Sequence, residues 1–419
     1  MSLPTYRPRV AFTVLLLGLA GATARADERL HLSSFGTLGY TTDTRPDIAP
    51  ARDIAQLPQD SYATGPSWRL DTRLGMQLEY SPHPSVDLVG QWVVRDEFRR
   101  SLDSITELAY VGWRPDTEWD IRAGRINYDA FLMSDHRNVG YAYPWVRPPS
   151  EFYGWIPILS VNGLDAGYRF ETDAVRWRLK AQVGNSSVVA IPIGSGYDLQ
   201  ALDLRGLSLT GQTDHWRFKL AHSRLRVANE VPAFAPLFAG LDAVAAAGLG
   251  GVSTEAADLR TNLSFQDARI SYTTLGAAYD DGQWLMQAEW GLSTASVAVV
   301  PHGRMAYFSV GRRVGDWTPL VTLSSSRPDN APRTAATDWG AYNASLRDPA
   351  LYVLNTNRID QDTLSLGLRW DFHRQAALKL QWDQTLIRPS GYGLWWRDIT
   401  LNNDSSRINL LSLTLDFTF

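Results

Sequence analysis

From Leu411 to Phe419 the chain reads LSLTLDFTF. Leu411, Leu413, Leu415, Phe417 and Phe419 take alternate positions, with Ser412, Thr414, Asp416 and Thr418 between them. Successive side chains of a strand point to opposite faces, so this segment has one apolar and one polar face. A soluble amphipathic strand shares that pattern. Upstream, however, the polar face becomes charged. In Thr363–Phe372, Leu364, Leu366, Leu368, Trp370 and Phe372 alternate with Ser365, Arg369 and Asp371. Leu378, Leu380 and Trp382 alternate with Lys379, Gln381 and Asp383, and Arg176–Val183 reads RWRLKAQV. Charges at every second position cannot be buried in a two-sided soluble core. They suit a wall with lipid on one face and water on the other.

Short turns divide these segments into hairpins: Ser81–Ser85, Arg114–Glu118, Glu171–Ala174, Gly211–His215, Tyr279–Gln283, Val314–Asp316 and His373–Gln375. They are rich in turn formers or charge. Between them lie eight longer connections: Thr42–Pro66, Asp96–Asp103, Asn127–Val161, Asn185–Ala201, Val227–Asp267, Thr294–Gly303, Arg327–Asp360 and Arg388–Ser405. This alternation of short and long predicts about 16 strands in one all-β, antiparallel, up-and-down transmembrane barrel, with both chain ends on the short-turn side. The connection at Val227–Asp267 contains FAPLFAGLDAVAAAGLGG, which reads either as a helix interrupted by glycines or as an unstructured loop.

The first residues read as an export signal. Arg7 and Arg9 precede an apolar run from Val10 to Gly21, and Ala24-Arg25-Ala26 supplies small residues for cleavage. Residues 1–26 are expected to be removed, leaving 27–419 as the barrel. No run approaches the ~20 apolar residues of a membrane-spanning helix. The chain carries 16 Trp, 17 Tyr and no Cys. Abundant Trp and Tyr suit the aromatic girdles that flank a barrel's lipid-facing band. A net charge of −4 argues against a nucleic-acid partner.

Two stretches carry a family resemblance. Phe419 resembles the C-terminal signature by which outer-membrane barrels are recognised for assembly. The AGRINYDAFLMSD segment, with its Gly124-Arg125 entry, is similar to proteobacterial porin-like proteins distantly related to the phosphate-selective porins. That resemblance implies a third loop folded into the barrel, a homotrimer in outer-membrane lipid, and passive diffusion of small hydrophilic solutes or ions. The dense lysine array of a phosphate site does not stand in this third loop.

The third connection contains Pro144, Pro148, Pro149 and Pro157, which restrict its backbone, and six aromatic residues from Tyr141 to Trp155. Asp135, Arg137, Arg147 and Glu151 are the pore-constriction candidates. On the walls, Arg176, Arg178, Lys180, Arg217 and Lys219 could form a basic ladder favouring anions, or could pair with acids opposite. No nucleophile elbow or HExxH motif is present, so neither enzyme nor metal chemistry nor a cofactor is expected. The rival reading is a closed structural or adhesive barrel without channel activity.

Overall fold

The computed structural model describes residues 29–45, 47–54, 66–97, 101–190, 197–397 and 404–419. The expected signal segment at 1–26 lies outside them. Sixteen strands form the barrel. They are β1 (Leu30–Asp43), β2 (Arg73–His83), β3 (Val86–Arg95), β4 (Thr106–Trp113), β5 (Trp119–Asn127), β6 (Ser160–Thr172), β7 (Val175–Ala190) and β8 (Tyr197–Gln212). There follow β9 (Trp216–Val227), β10 (Arg269–Asp280), β11 (Trp284–Ala295), β12 (Gly303–Arg312), β13 (Trp317–Pro328), β14 (Ile359–His373), β15 (Ala376–Tyr392) and β16 (Ser406–Thr418). Each pairs antiparallel with its neighbours, and β1 closes on β16 from Phe35↔Thr418 to Asp43↔Leu410. Closure leaves no edge strand with unpaired backbone groups, which a lipid environment requires.

Alternation sets the two faces. Along β13 every second residue through Leu323 is exposed, and its partners in between are buried. The outward side carries Leu74, Leu220, Leu275, Phe308, Leu323 and Leu366, all more than a third exposed. Aromatic residues gather at the short turns: Trp113 ends β4, while Trp119, Trp216, Trp284 and Trp317 each begin a strand. Trp317 stacks on Trp370 at 5.1 Å between ring centroids, and Trp216 meets Tyr279 at 4.8 Å. One girdle therefore follows the short-turn rim, where an amphipathic ring can face lipid and water together.

All seven expected short turns separate the strands they were expected to separate. The connection placed at Asn185–Ala201 is much shorter than expected. Strands β7 and β8 run to Ala190 and from Tyr197, pairing as far as Ala190↔Tyr197 past a shift at Gly184/Ser186. The first long connection, expected to end at Pro66, runs on until β2 begins at Arg73. A short pair that periodicity did not indicate, Ile48–Pro50 with Trp395–Arg397, zips the first long connection to the last.

The Val227–Asp267 connection folds into a helical hairpin, α1 (Ala235–Ala246) and α2 (Gly251–Leu263). Gly248 and Gly250 turn between them at φ +68° and +61°, a region that penalises a Cβ. Phe238, Leu241 and Val244 pack with Ala256, Leu259 and Leu263, and against Ala350 and Leu354 of α3 (Asp348–Thr356). The Trp339 indole donates to Glu255 at 2.8 Å, so two long connections share one cap at the loop end of the barrel.

Candidate functional site: the inserted third loop

Between β5 and β6 the chain does not stay at the rim. Residues 128–159 enter the lumen as a mostly irregular segment with two short helical turns, at Gly140–Ala142 and Ser150–Tyr153. Phe131, Tyr143, Trp145, Phe152, Tyr153 and Trp155 are each at most 2% exposed; Trp145 and Phe152 meet Tyr307 of β12 edge-on, and Phe131 packs edge-on against Phe152 and Tyr153. The Trp145 indole donates to Ser309 and Thr322 at 2.9 Å each, and Trp155 donates to Ser326 at 2.7 Å. Burying indoles against a polar wall works because each N–H finds a hydroxyl on an inward strand position.

The loop's backbone is gripped from the walls. Lys379 donates to the carbonyls of Gly140 (2.7 Å) and Trp145 (3.0 Å) while pairing with Asp416 at 3.0 Å. A Cβ at Gly140 would stand 2.0 Å from the Asp416 carboxylate, so only glycine lets the loop come this close. Arg369 donates to the carbonyls of Tyr141 and Tyr143. Glu289 accepts from the Leu132 amide at 2.9 Å and from the Tyr153 hydroxyl. Asp129 sits between Lys180 and Lys219 and accepts from Ser208 at 2.7 Å. Burial alone would raise its carboxyl, but the two ammonium groups outweigh that and hold it well below the usual carboxylate range.

All four constriction candidates lie on this inserted loop, in different settings. Arg147 pairs with Asp71 at 2.6 Å and with Asp383 at 3.3 Å. Glu151, 1% exposed, accepts from Ser324 (2.7 Å), Gln361 (2.6 Å) and Thr363. Both therefore fasten the loop to β13–β15 and to the segment before β2. The Arg137 guanidinium donates to the loop's own carbonyls, Tyr153 at 2.6 Å and Ile156 at 3.2 Å. Asp135 alone of the four is exposed, held by the Asn127 amide at 2.5 Å.

The five ladder residues do share the lumen face of adjacent rows. Arg176, Gln212 and Arg217 are in register, as are Arg178, Thr210 and Lys219. Their charges are largely answered. Arg178 pairs with Asp120, Lys180 and Lys219 with Asp129, and Arg217 donates to the Leu132 carbonyl at 2.7 Å. Arg176 is exposed near the short-turn end. Asp129, which sequence reasoning passed over, thus joins two ladder lysines to the loop; its only sequence signal is an acid in the AGRINYDAFLMSD entry, which also holds Asp135.

The loop leaves space beside β3–β7. A cavity of about 280 Å³ at the loop end is bordered by Arg52, Asp53, Arg95, Glu97, Glu107 and Arg125. A smaller one of about 30 Å³ shares Glu107 and Leu159 with it and reaches Asp135, His136 and Asn138. Arg95 pairs with Glu97 and Glu107 at 2.7 Å each and donates to Asn138 at 3.1 Å. Arg122 forks onto Asp165 and lies over the Tyr110 ring at 5.2 Å.

No protein-family model and no curated protein sequence matches the chain. Solved structures do. OmpF of Salmonella typhi, in complex with daunomycin, superposes with a TM-score of 0.51 at 13% identity, covering 93% of this chain and 97% of that one. The anion-selective porin from Comamonas acidovorans gives 0.48 at 10% identity over 93% and 100%. Outer-membrane expressed OmpT of Vibrio cholerae gives 0.47 at 10% over 94% and 98%. By fold, the chain is a porin-like, sixteen-stranded transmembrane β-barrel. At 13% identity, what the likeness to OmpF defines is the architecture alone.

Proposed function

We propose that this protein is a passive diffusion channel of a Gram-negative outer membrane, passing small hydrophilic solutes or ions by size and charge. The observation that carries the reading is the third loop. It is pinned inside a closed barrel by buried ion pairs and hydrogen bonds, which narrows the lumen to the side lined by β3–β7. A pore of this kind selects through fixed charges at the narrow point and needs no covalent step. The path runs from the 280 Å³ cavity past Arg95 and Glu107 to Asp135. Because most ladder charges are paired, anion preference is weak at most. The mature chain begins near Asp27 and assembles as a homotrimer.

One observation favours a second reading, the closed structural barrel. The inserted loop and the helical cap belong to one buried apolar cluster with wall residues such as Tyr272, Met305 and Tyr307. Planar-bilayer recording of the refolded protein in a potassium chloride gradient decides between them. Stable conductance steps support the channel. A verified, inserted barrel that carries no current overturns it in favour of the closed barrel.

A further inference from the structure

The 280 Å³ cavity at the loop end is bordered by fixed charges of both signs. The first long connection contributes Arg52 and Asp53, a pair 3.6 Å apart. Those two residues are held from both sides. Before them, Ile48–Pro50 pairs with Trp395–Arg397; after them, the Ile54 amide donates to the Gly154 carbonyl at 3.0 Å. The barrel wall contributes Arg95, which pairs with Glu97 and Glu107 at 2.7 Å each. A third guanidinium, that of Arg125, takes the Asp103 carboxylate at 3.0 Å. Its Nε–H is nevertheless buried with no acceptor among the described residues.

These pairs are not electrically self-contained. Arg52 on the connection and Glu97 after β3 each favour the other's charged form. Burial outweighs Arg95 and, helped by Glu107, holds the Glu97 carboxyl above the ordinary range. A cation arriving beside Glu97 therefore stabilises it. A solute with one charge meets the wrong member of each pair as well as the right one, so attraction and repulsion offset each other. A solute with an ammonium and a carboxylate close together answers both members at once. The remaining border is hydroxyl and apolar, from Ser186 and Ser187 to Pro157 and Leu159. At ~30 Å³ for each water, the cavity has room for about nine non-hydrogen atoms, the bulk of a mid-sized amino acid.

We propose that this cavity is a binding subsite for zwitterionic α-amino acids with an apolar side chain. Arg52 receives the carboxylate, Glu97 receives the ammonium, and the side chain lies against Pro157 and Leu159. Because the connection is tied down on both sides of Arg52, little ordering remains to be done when the solute arrives. The inference rests on the proposed function for its place at a pore mouth, and names the solute class retained there.

Isothermal titration of the refolded barrel in detergent tests it, with L-leucine as the probe. Two single-charge analogues are compared: isocaproate, which lacks the ammonium, and isoamylamine, which lacks the carboxylate. Leucine is expected to bind saturably and about tenfold more tightly than either. Arg52→Gln and Glu97→Gln each remove about that factor. Arg312→Gln, outward at the short-turn rim, leaves leucine binding unchanged. Absence of saturable leucine binding overturns the subsite, as does an analogue that binds as well as leucine. Undiminished leucine binding by both variants, each with folded electrophoretic mobility, overturns it too. Planar-bilayer recording of the same sample separates the two readings. A conducting barrel that ignores leucine fails only the subsite; a leucine-binding barrel without current fails only the channel.

Discussion

Lys180 and Asp129 meet at 3.1 Å where the barrel wall touches the inserted loop, and Lys219 takes the other carboxylate oxygen. Both ammonium groups are almost fully buried, so one loop carboxylate neutralises two rungs of the ladder. Asp129→Asn leaves two uncompensated cations. Breaking one side of a buried pair typically costs about 3–5 kcal/mol. The expected outcome is a lower thermal midpoint together with a reversal potential displaced toward chloride in a potassium chloride gradient. An unchanged reversal potential from a stable, inserted variant would place these lysines outside the ion path.

Glu151 connects the loop to β13 and β14 through three donors and is buried. Glu151→Ala strands Ser324, Gln361 and Thr363, at about 1–3 kcal/mol for each buried group left unsatisfied. The loop should then loosen on this side. Single-channel records are expected to show larger and noisier conductance while the barrel itself stays heat-resistant on electrophoresis. Quiet, wild-type steps from this variant would mean that the aromatic cluster holds the loop unaided.

Turns and strands were legible because their signals are local. His373-Arg374-Gln375 stands between two alternating runs, and no distant residue alters that reading. The end of β7 was missed because its outward residues there include Asn185, which breaks the apolar face at a register shift. The third loop was recognisable as a bulky, proline-stiffened insert, yet the work of its charges was not. Arg147 finds Asp71 and Asp383, 76 and 236 residues away, and Glu151 finds Thr363 at a separation of 212. Pairings of that kind depend on how far the loop reaches into the lumen, which periodicity does not encode.

Asp135 differs from its three charged neighbours in facing open space. Asp135→Asn keeps the volume and the hydrogen bond to Asn127 within reach, so stability should change by less than about 1 kcal/mol. Selectivity should move: removing the exposed carboxylate shifts the reversal potential toward anions. Arg137→Met is expected to behave oppositely, lowering stability by releasing the Tyr153 and Ile156 carbonyls while moving selectivity little. If the two variants exchange these phenotypes, the assignment of lining and bracing roles is wrong.

His136 adjoins that carboxylate. Burial, reinforced by Arg217 and Lys219 and partly offset by Asp135, holds its imidazole below the ordinary value. At pH 7 it is therefore neutral in the folded barrel, and it stays neutral as the pH falls past about 6.5, where the unfolded chain begins to take up a proton. The unfolded state then binds more protons, so stability declines as pH falls below about 6.5 and levels off once the folded imidazole also protonates. The urea midpoint of the refolded protein should drop between pH 7.5 and 5, and His136→Gln should remove that component. Ion selectivity should stay flat through pH 6.5 and turn toward anions only at lower pH, when a cation appears beside Asp135. A selectivity step centred at the ordinary histidine value, abolished in His136→Gln, would mean that His136 is solvated in the pore and not buried against the loop.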